Sequence, residues 1–126
     1  MYIKELEIDR FKSFAQKVNI PFLKGFTTIA GPNGSGKSNI IDAILFALGL
    51  ATANEMREKK LSEFISLYTN SKEASVTVIF DTENPDEPEL KVKRKIKKGS
   101  QGYNSVYYLN DKPVNLSEVQ DRKSVV

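Results

Sequence analysis

The stretch "TIAGPNGSGKSNII", residues 28–41, constrains this chain more than any other. It sets Gly31, Gly34 and Gly36, a lysine and a serine between a β-rich run and a solid apolar one. Ordered glycine carries the largest backbone entropy cost, so three so close together imply a path or an approach that side chains would block. Gly31 to Ser38 reads G-x-x-x-x-G-K-S, the P-loop pattern. At average usage its four fixed positions match by accident at roughly a few in 10⁵ starting points, well under about 1% over a chain of this length. Gly34 and Gly36 let successive backbone N–H groups turn inward as an anion nest. A helix starting near Lys37 adds the positive end of its dipole. Lys37 is placed to reach β- and γ-phosphates, and the Ser38 hydroxyl to bind Mg²⁺. A nucleoside triphosphate with Mg²⁺ is therefore the expected ligand. The phosphate site comprises Gly31, Pro32, Asn33, Gly34, Ser35, Gly36, Lys37, Ser38 and Asn39.

The flanks supply the strand and helix that such a loop needs. "YIKELEID" (2–9) alternates with one slip in phase and reads as a strand. A loop and a second strand follow, stopped near Pro21. "GFTTIA" (25–30) is β-branched and aromatic, a third strand. "KSNIIDAILFALG" (37–49) is a helix apolar on almost every face, to be buried on more than one side and stopped by Gly49. Residues 51–60 read as irregular, and "LSEFISLY" (61–68) as a short helix. Further on, "ASVTVIFD", "LKVKRKIKK" and "YNSVYYLN" are strands. "TENPDEPE", "GSQG" and "DKP" are turns, and Ser117 is a candidate N-cap for a last helix.

Composition narrows the chemistry. The 126 residues, 40% hydrophobic and 28% charged, suit one modest soluble domain. Without cysteine there is no disulfide or thiolate metal site, and without histidine the usual general base is missing. The start "MYIKELEID" is unlike a signal peptide, and the longest apolar run, Ile40–Leu50, is too short to span a bilayer. A cytoplasmic protein with no membrane partner is expected.

The elements "IKELEIDRFKSF", "IPFLKGFTTIAGPNGSGKSNIIDAILFALG" and "MREKKLSEFI" together resemble the N-terminal head segment of the structural-maintenance-of-chromosomes (SMC) family of ATPases. The resemblance runs from residue 1 to about 120. It implies an α/β P-loop NTPase of the ABC type, specifically the N-terminal lobe of its head, with a mixed sheet and an antiparallel β-subdomain. By the same resemblance a C-terminal lobe supplies the Walker B acidic pair and the signature motif, and ATP is sandwiched between two heads. A homodimer of heads, DNA and kleisin-type subunits are the implied partners. Lys12 and Ser13 would lie near phosphates or ribose, Asn33 would face the γ-phosphate, and Arg57 would act as a finger-like catalytic cation beside Lys37. Read without the resemblance, Lys12 is equally a solvated turn lysine and Arg57 an ordinary surface residue. Phe11 and Phe14 read as core, and Asp42 as a carboxylate that caps or pairs locally.

No apolar strand here ends in a paired Asp-Glu, and no "SGG" signature is present. One half of a composite site is expected, with weak nucleotide binding and little turnover by itself. Residues 121–126 read as a truncated or spurious tail. The basic strand is a second candidate site. Lys91, Lys93, Lys95 and Lys97 share one face by alternation, about 7 Å apart, and with Arg94 form a candidate contact to nucleic-acid phosphates. The other reading is a solvated sheet face protecting an edge. The functions weighed are ATP-driven head engagement in chromosome segregation and condensation, a double-strand-break-repair ATPase of the same superfamily, and a DNA-binding module with a structural nucleotide.

Overall fold

A computed structural model of the chain describes residues 1–12, 14–22, 37–49, 64 and 72–123. Their order is β1 (Tyr2–Asp9), β2 (Val18–Pro21), α1 (Lys37–Ala47), β3 (Glu73–Asp81), β4 (Glu89–Gly99), β5 (Gly102–Leu109), β6 (Lys112–Val114) and α2 (Leu116–Lys123). The six strands form one sheet in the order β2-β1-β3-β4-β5-β6, and every described pairing is antiparallel. The predicted strand at residues 25–30, which would make the sheet mixed, lies outside the described residues. So do the irregular stretch at 51–60 and, apart from Phe64, the predicted helix at 61–68.

Alternation decides which face is which. Leu6 and Ile8 of β1 lie opposite Val78 and Val76 of β3. Those pair in turn with Val92 and Arg94 of β4, and these with Leu109 and Tyr107 of β5. This inner face carries α1 through Ala43, Phe46 and Ala47, all fully or almost fully buried. Burying Phe46 contributes roughly 1.5–3 kcal/mol. Phe11, Phe46 and Phe64 close the core with ring centroids 4.9, 5.7 and 5.2 Å apart. Ile41 remains 42% exposed on α1, while Ala43, Phe46, Ala47 and Leu48 are buried.

Several local expectations hold. The slip of phase in β1 is a register shift between Ile3 and Glu5, with Lys4 as the extra residue. Gly49 sits at φ +66°, and its N–H donates to the Phe46 carbonyl at 3.1 Å, the left-handed stop expected of a C′ glycine. Two expectations are corrected. "DKP" is not the turn. The turn is Asn110–Asp111, both at positive φ (48° and 69°), a two-residue reversal that leaves Lys112 and Pro113 in β6. The cap of α2 is Asn115 rather than Ser117: its Oδ1 accepts from the Glu118 N–H at 3.0 Å and from the Ser117 hydroxyl at 2.6 Å. Helix α2 runs to Lys123, across residue 120, where the family resemblance was expected to end.

Candidate functional site

Helix α1 begins at Lys37, inside the P-loop pattern. Its first turn holds no acidic residue, so nothing on it opposes an anion at the free N–H groups. Gly31, Pro32, Asn33, Gly34, Ser35 and Gly36 lie outside the described residues, as do Ser13 and Arg57. Lys37, Ser38 and Asn39 are described as helix backbone only.

The turn after β1 delivers Lys12 to this helix. Arg10 and Lys12 adopt positive φ (54° and 50°), and the Phe14 N–H donates to the Phe11 carbonyl at 2.9 Å. The Lys12 N–H donates to the Phe64 carbonyl at 2.8 Å. Phe11 is thereby buried completely, in keeping with its reading as core, while Phe14 packs partly buried against that core. The Lys12 ammonium lies 5.7 Å from the Phe64 ring centroid and donates to Asp42 Oδ2 at 2.6 Å. With side chains 15% and 30% exposed, this pair is partly withdrawn from water, which strengthens it. Asp42 lies about 7.5 Å along α1 from Lys37, at 1.5 Å per residue. Lys12 is therefore held on the flank of the helix, short of its N-terminus. The partnership spans 30 residues of sequence, and no local pattern announces it.

The outer sheet face is divided by charge. Across the strands, Glu5 lies in line with Ile79 and Lys91, Glu7 with Thr77 and Lys93, and Asp9 with Ser75 and Lys95. A negative row on β1 thus runs two strands, about 10 Å, from a positive row on β4. Ile79 and Thr77 between them are buried. Lys95 Nζ reaches Glu73 Oε2 at 3.5 Å, and Lys93 Nζ lies 5.7 Å from the Tyr108 ring centroid. Lys91 and Lys97 form no ion pair among the described residues. At the end of the row Lys4 pairs with Glu89, which lowers the Glu89 carboxyl and raises the Lys4 ammonium from their ordinary values.

Arg94 does not belong to this face, which corrects its place in the candidate DNA contact. It takes the inward position between Val92 and Ile96 and is 5% exposed. Its Nε donates to Ser105 Oγ at 2.6 Å and its Nη1 to the Phe46 carbonyl, in the last turn of α1, at 3.3 Å. The guanidinium carbon lies 4.2 Å from the Phe46 ring centroid and 5.0 Å from that of Tyr107. Burial lowers the guanidinium from the usual arginine range and raises the Tyr107 phenol. The signal was present in the sequence: Leu90, Val92, Arg94 and Ile96 share one phase of the alternation.

Residues 2–124 match the family model of the RecF/RecN/SMC N terminal domain. The chain is 48% identical, over 96% of its length, to the chromosome partition protein Smc of Gloeobacter violaceus, of which it covers 10%. It superposes with a TM-score of 0.80, at 43% identity, on a solved structure concerned with ATP-driven dimerization and DNA-stimulated activation of SMC ATPases; 96% of this chain and 76% of that one are covered. A crystal structure of an Smc head bound to the C-winged helix domain of ScpA gives the same TM-score and identity, covering 96% of this chain and 39% of that one. The chain spans about a tenth of the length of the curated relatives it matches.

Proposed function

The chain belongs to the family of RecF/RecN/SMC N-terminal domains, and on that premise we propose that it is the ATP-binding N-terminal lobe of an SMC-type chromosome-partition ATPase head. The observation that carries this reading is α1 itself. It emerges from the P-loop pattern at Lys37 and packs on an antiparallel sheet that brings Lys12 to its flank. The curated relatives named chromosome partition protein Smc favour this over a double-strand-break-repair ATPase.

The residues fit Mg-ATP. The N–H groups at the start of α1 and of the glycine loop would receive the phosphates, with the helix dipole favouring their charge. Lys37 would pair with β- and γ-phosphate oxygens and Ser38 would ligate Mg²⁺. The bound Mg²⁺ supplies charge neutralisation on the transferring phosphoryl group. Asn33, Ser13 and Arg57 would complete the polar lining, with Arg57 opposing negative charge that builds during transfer. Lys12 reaches toward this site only if it loosens from Asp42, because that carboxylate holds it along the helix side. The general base and second acidic group would come from the C-terminal lobe. Nucleotide would then close two heads on each other, in line with the dimerization named for the SMC ATPase structure.

The lysine row of β4 is the proposed contact to DNA phosphates, without sequence preference and salt-sensitive. DNA stimulation and a bound ScpA domain, named for two of the matched structures, support DNA and a kleisin-type subunit as partners. Action on the chromosome makes the protein nucleoid-associated. The test is Mg-ATP calorimetry and turnover on this chain with and without the C-terminal lobe. Turnover only with both lobes is the expected result. Turnover at an ordinary enzymatic rate by this chain alone would overturn the split-site reading.

A further inference from the structure

We infer that Arg94 is a positioning residue, tying the far end of the P-loop helix to the strand whose outer face carries the lysine row. Four observations converge on it. It is the charged side chain in the inward-facing set of β4, where Leu90, Val92 and Ile96 are its neighbours in phase. Its guanidinium is gripped between β5, through Ser105 Oγ, and the last turn of α1, through the Phe46 carbonyl. The rings of Phe46 and Tyr107 bracket it. Its strand neighbours Lys93 and Lys95 emerge on the opposite face, as alternation requires.

The physical consequence follows from stiffness. An α-helix of 11 residues is a rod about 16 Å long. Its C-terminal carbonyls carry partial negative charge, and a cation placed there holds that end. The planar guanidinium fixes direction as well as distance, which a lysine ammonium does not. With the far end clamped, the direction of the N–H groups at the Lys37 end is set by where β4 stands. Phosphates drawn onto Lys91, Lys93 and Lys97 pull on that same strand backbone. One side chain then separates the strand from the P-loop helix, so DNA on the outer sheet face is felt at the nucleotide end. This rests on the proposed function, since it takes the α1 N-terminus as the nucleotide site and β4 as the DNA contact.

The test uses the complete head with both lobes. Arg94→Met keeps the apolar stem between the two rings and removes charge and donors. Arg94→Lys keeps charge without the fork, and Ser105→Ala removes the Nε acceptor together with the Ser105 hydrogen bond to Tyr107. Mg-ATP affinity without DNA, turnover with and without duplex DNA, DNA affinity and melting temperature are read on each. Arg94→Met is expected to weaken Mg-ATP binding roughly tenfold, as loss of a charged hydrogen bond allows. It should abolish DNA stimulation while leaving DNA affinity and salt slope at the wild-type value. Arg94→Lys and Ser105→Ala should fall between. If the folded variants melt lower but bind Mg-ATP and respond to DNA like the wild type, Arg94 is only a core brace and the inference is wrong. Should Arg94→Met not fold, wild-type nucleotide affinity in both Arg94→Lys and Ser105→Ala overturns it equally. A head whose lysine-neutralised variant keeps full DNA stimulation refutes the DNA contact instead, and the affinity arm, measured without DNA, still decides the role of Arg94.

Discussion

Neutralising the outer lysines tests the DNA contact most directly, because its size follows from geometry. Residues two apart on an antiparallel strand are about 6.8 Å from each other, so Lys91, Lys93, Lys95 and Lys97 form a row about 20 Å long. Lys95 is already engaged by Glu73 at 3.5 Å and counts for less. That leaves three cations for phosphates. Each phosphate neutralised releases condensed counterions worth about 0.9 in the slope of log K against log salt. Replacing Lys91, Lys93 and Lys97 with Gln should therefore flatten the slope by about 2.7. Between 50 and 200 mM salt, a fourfold change, the wild-type complex should lose about 40-fold more affinity than the triple variant. Lys95→Gln should change the slope by less than about 0.9, since its charge is shared with Glu73. Fluorescence anisotropy on a short duplex, titrated at four salt concentrations with the complete head, measures all of this. A triple variant whose slope matches the wild type within about 0.5 would refute phosphate binding by this face and leave the lysines as a solvated sheet face.

Other consequences are local. Gly49→Ala forces a side chain onto φ +66° and puts its Cβ 2.9 Å from Leu116 Cδ1; denaturant titration should show a loss of about 1–2 kcal/mol, mostly from backbone, because the Leu116 tip can move. A double-mutant cycle of Lys12→Met and Asp42→Asn should return a coupling of about 1–2 kcal/mol, above an exposed pair and below a fully buried one, and a value under about 0.3 would show that the 2.6 Å contact is not held in solution. Tyr107 is raised from its ordinary value near 10 by burial, so the folded state keeps the proton longer than the unfolded one. Stability is then intact below about pH 10 and falls as pH rises through the raised value, and Tyr107→Phe should make that alkaline decline, followed by thermal melting, less steep.

Where one residue's neighbours in sequence are also its neighbours in space, the chain was readable. The phase slip of β1, the Gly49 stop and the inward-outward division of β4 all follow from periods of two or from a single φ requirement. Errors arose where two local signals competed. Ser117 and Asn115 are both good caps, and Asn115 wins because its side chain reaches the Glu118 N–H across the first turn. In "NDKP" the proline drew the turn toward itself, yet Asn110 and Asp111 tolerate positive φ and so take the reversal. The site was legible as a motif but not as a mechanism. Lys37 and Ser38 announce a phosphate site by spacing alone, whereas Asp42 looked like a helix carboxylate with a local partner and holds Lys12 from 30 residues away. Arg94 shows the same limit from the other side. Counted with the lysines, it is one more positive charge for DNA; assigned by phase, it must point inward, where an unpaired guanidinium would be costly. Phase therefore demands an acceptor under β4, and the last turn of α1 is where the Phe46 carbonyl provides it. The charge that seemed most redundant in the basic strand is the one that ties that strand to the last turn of α1.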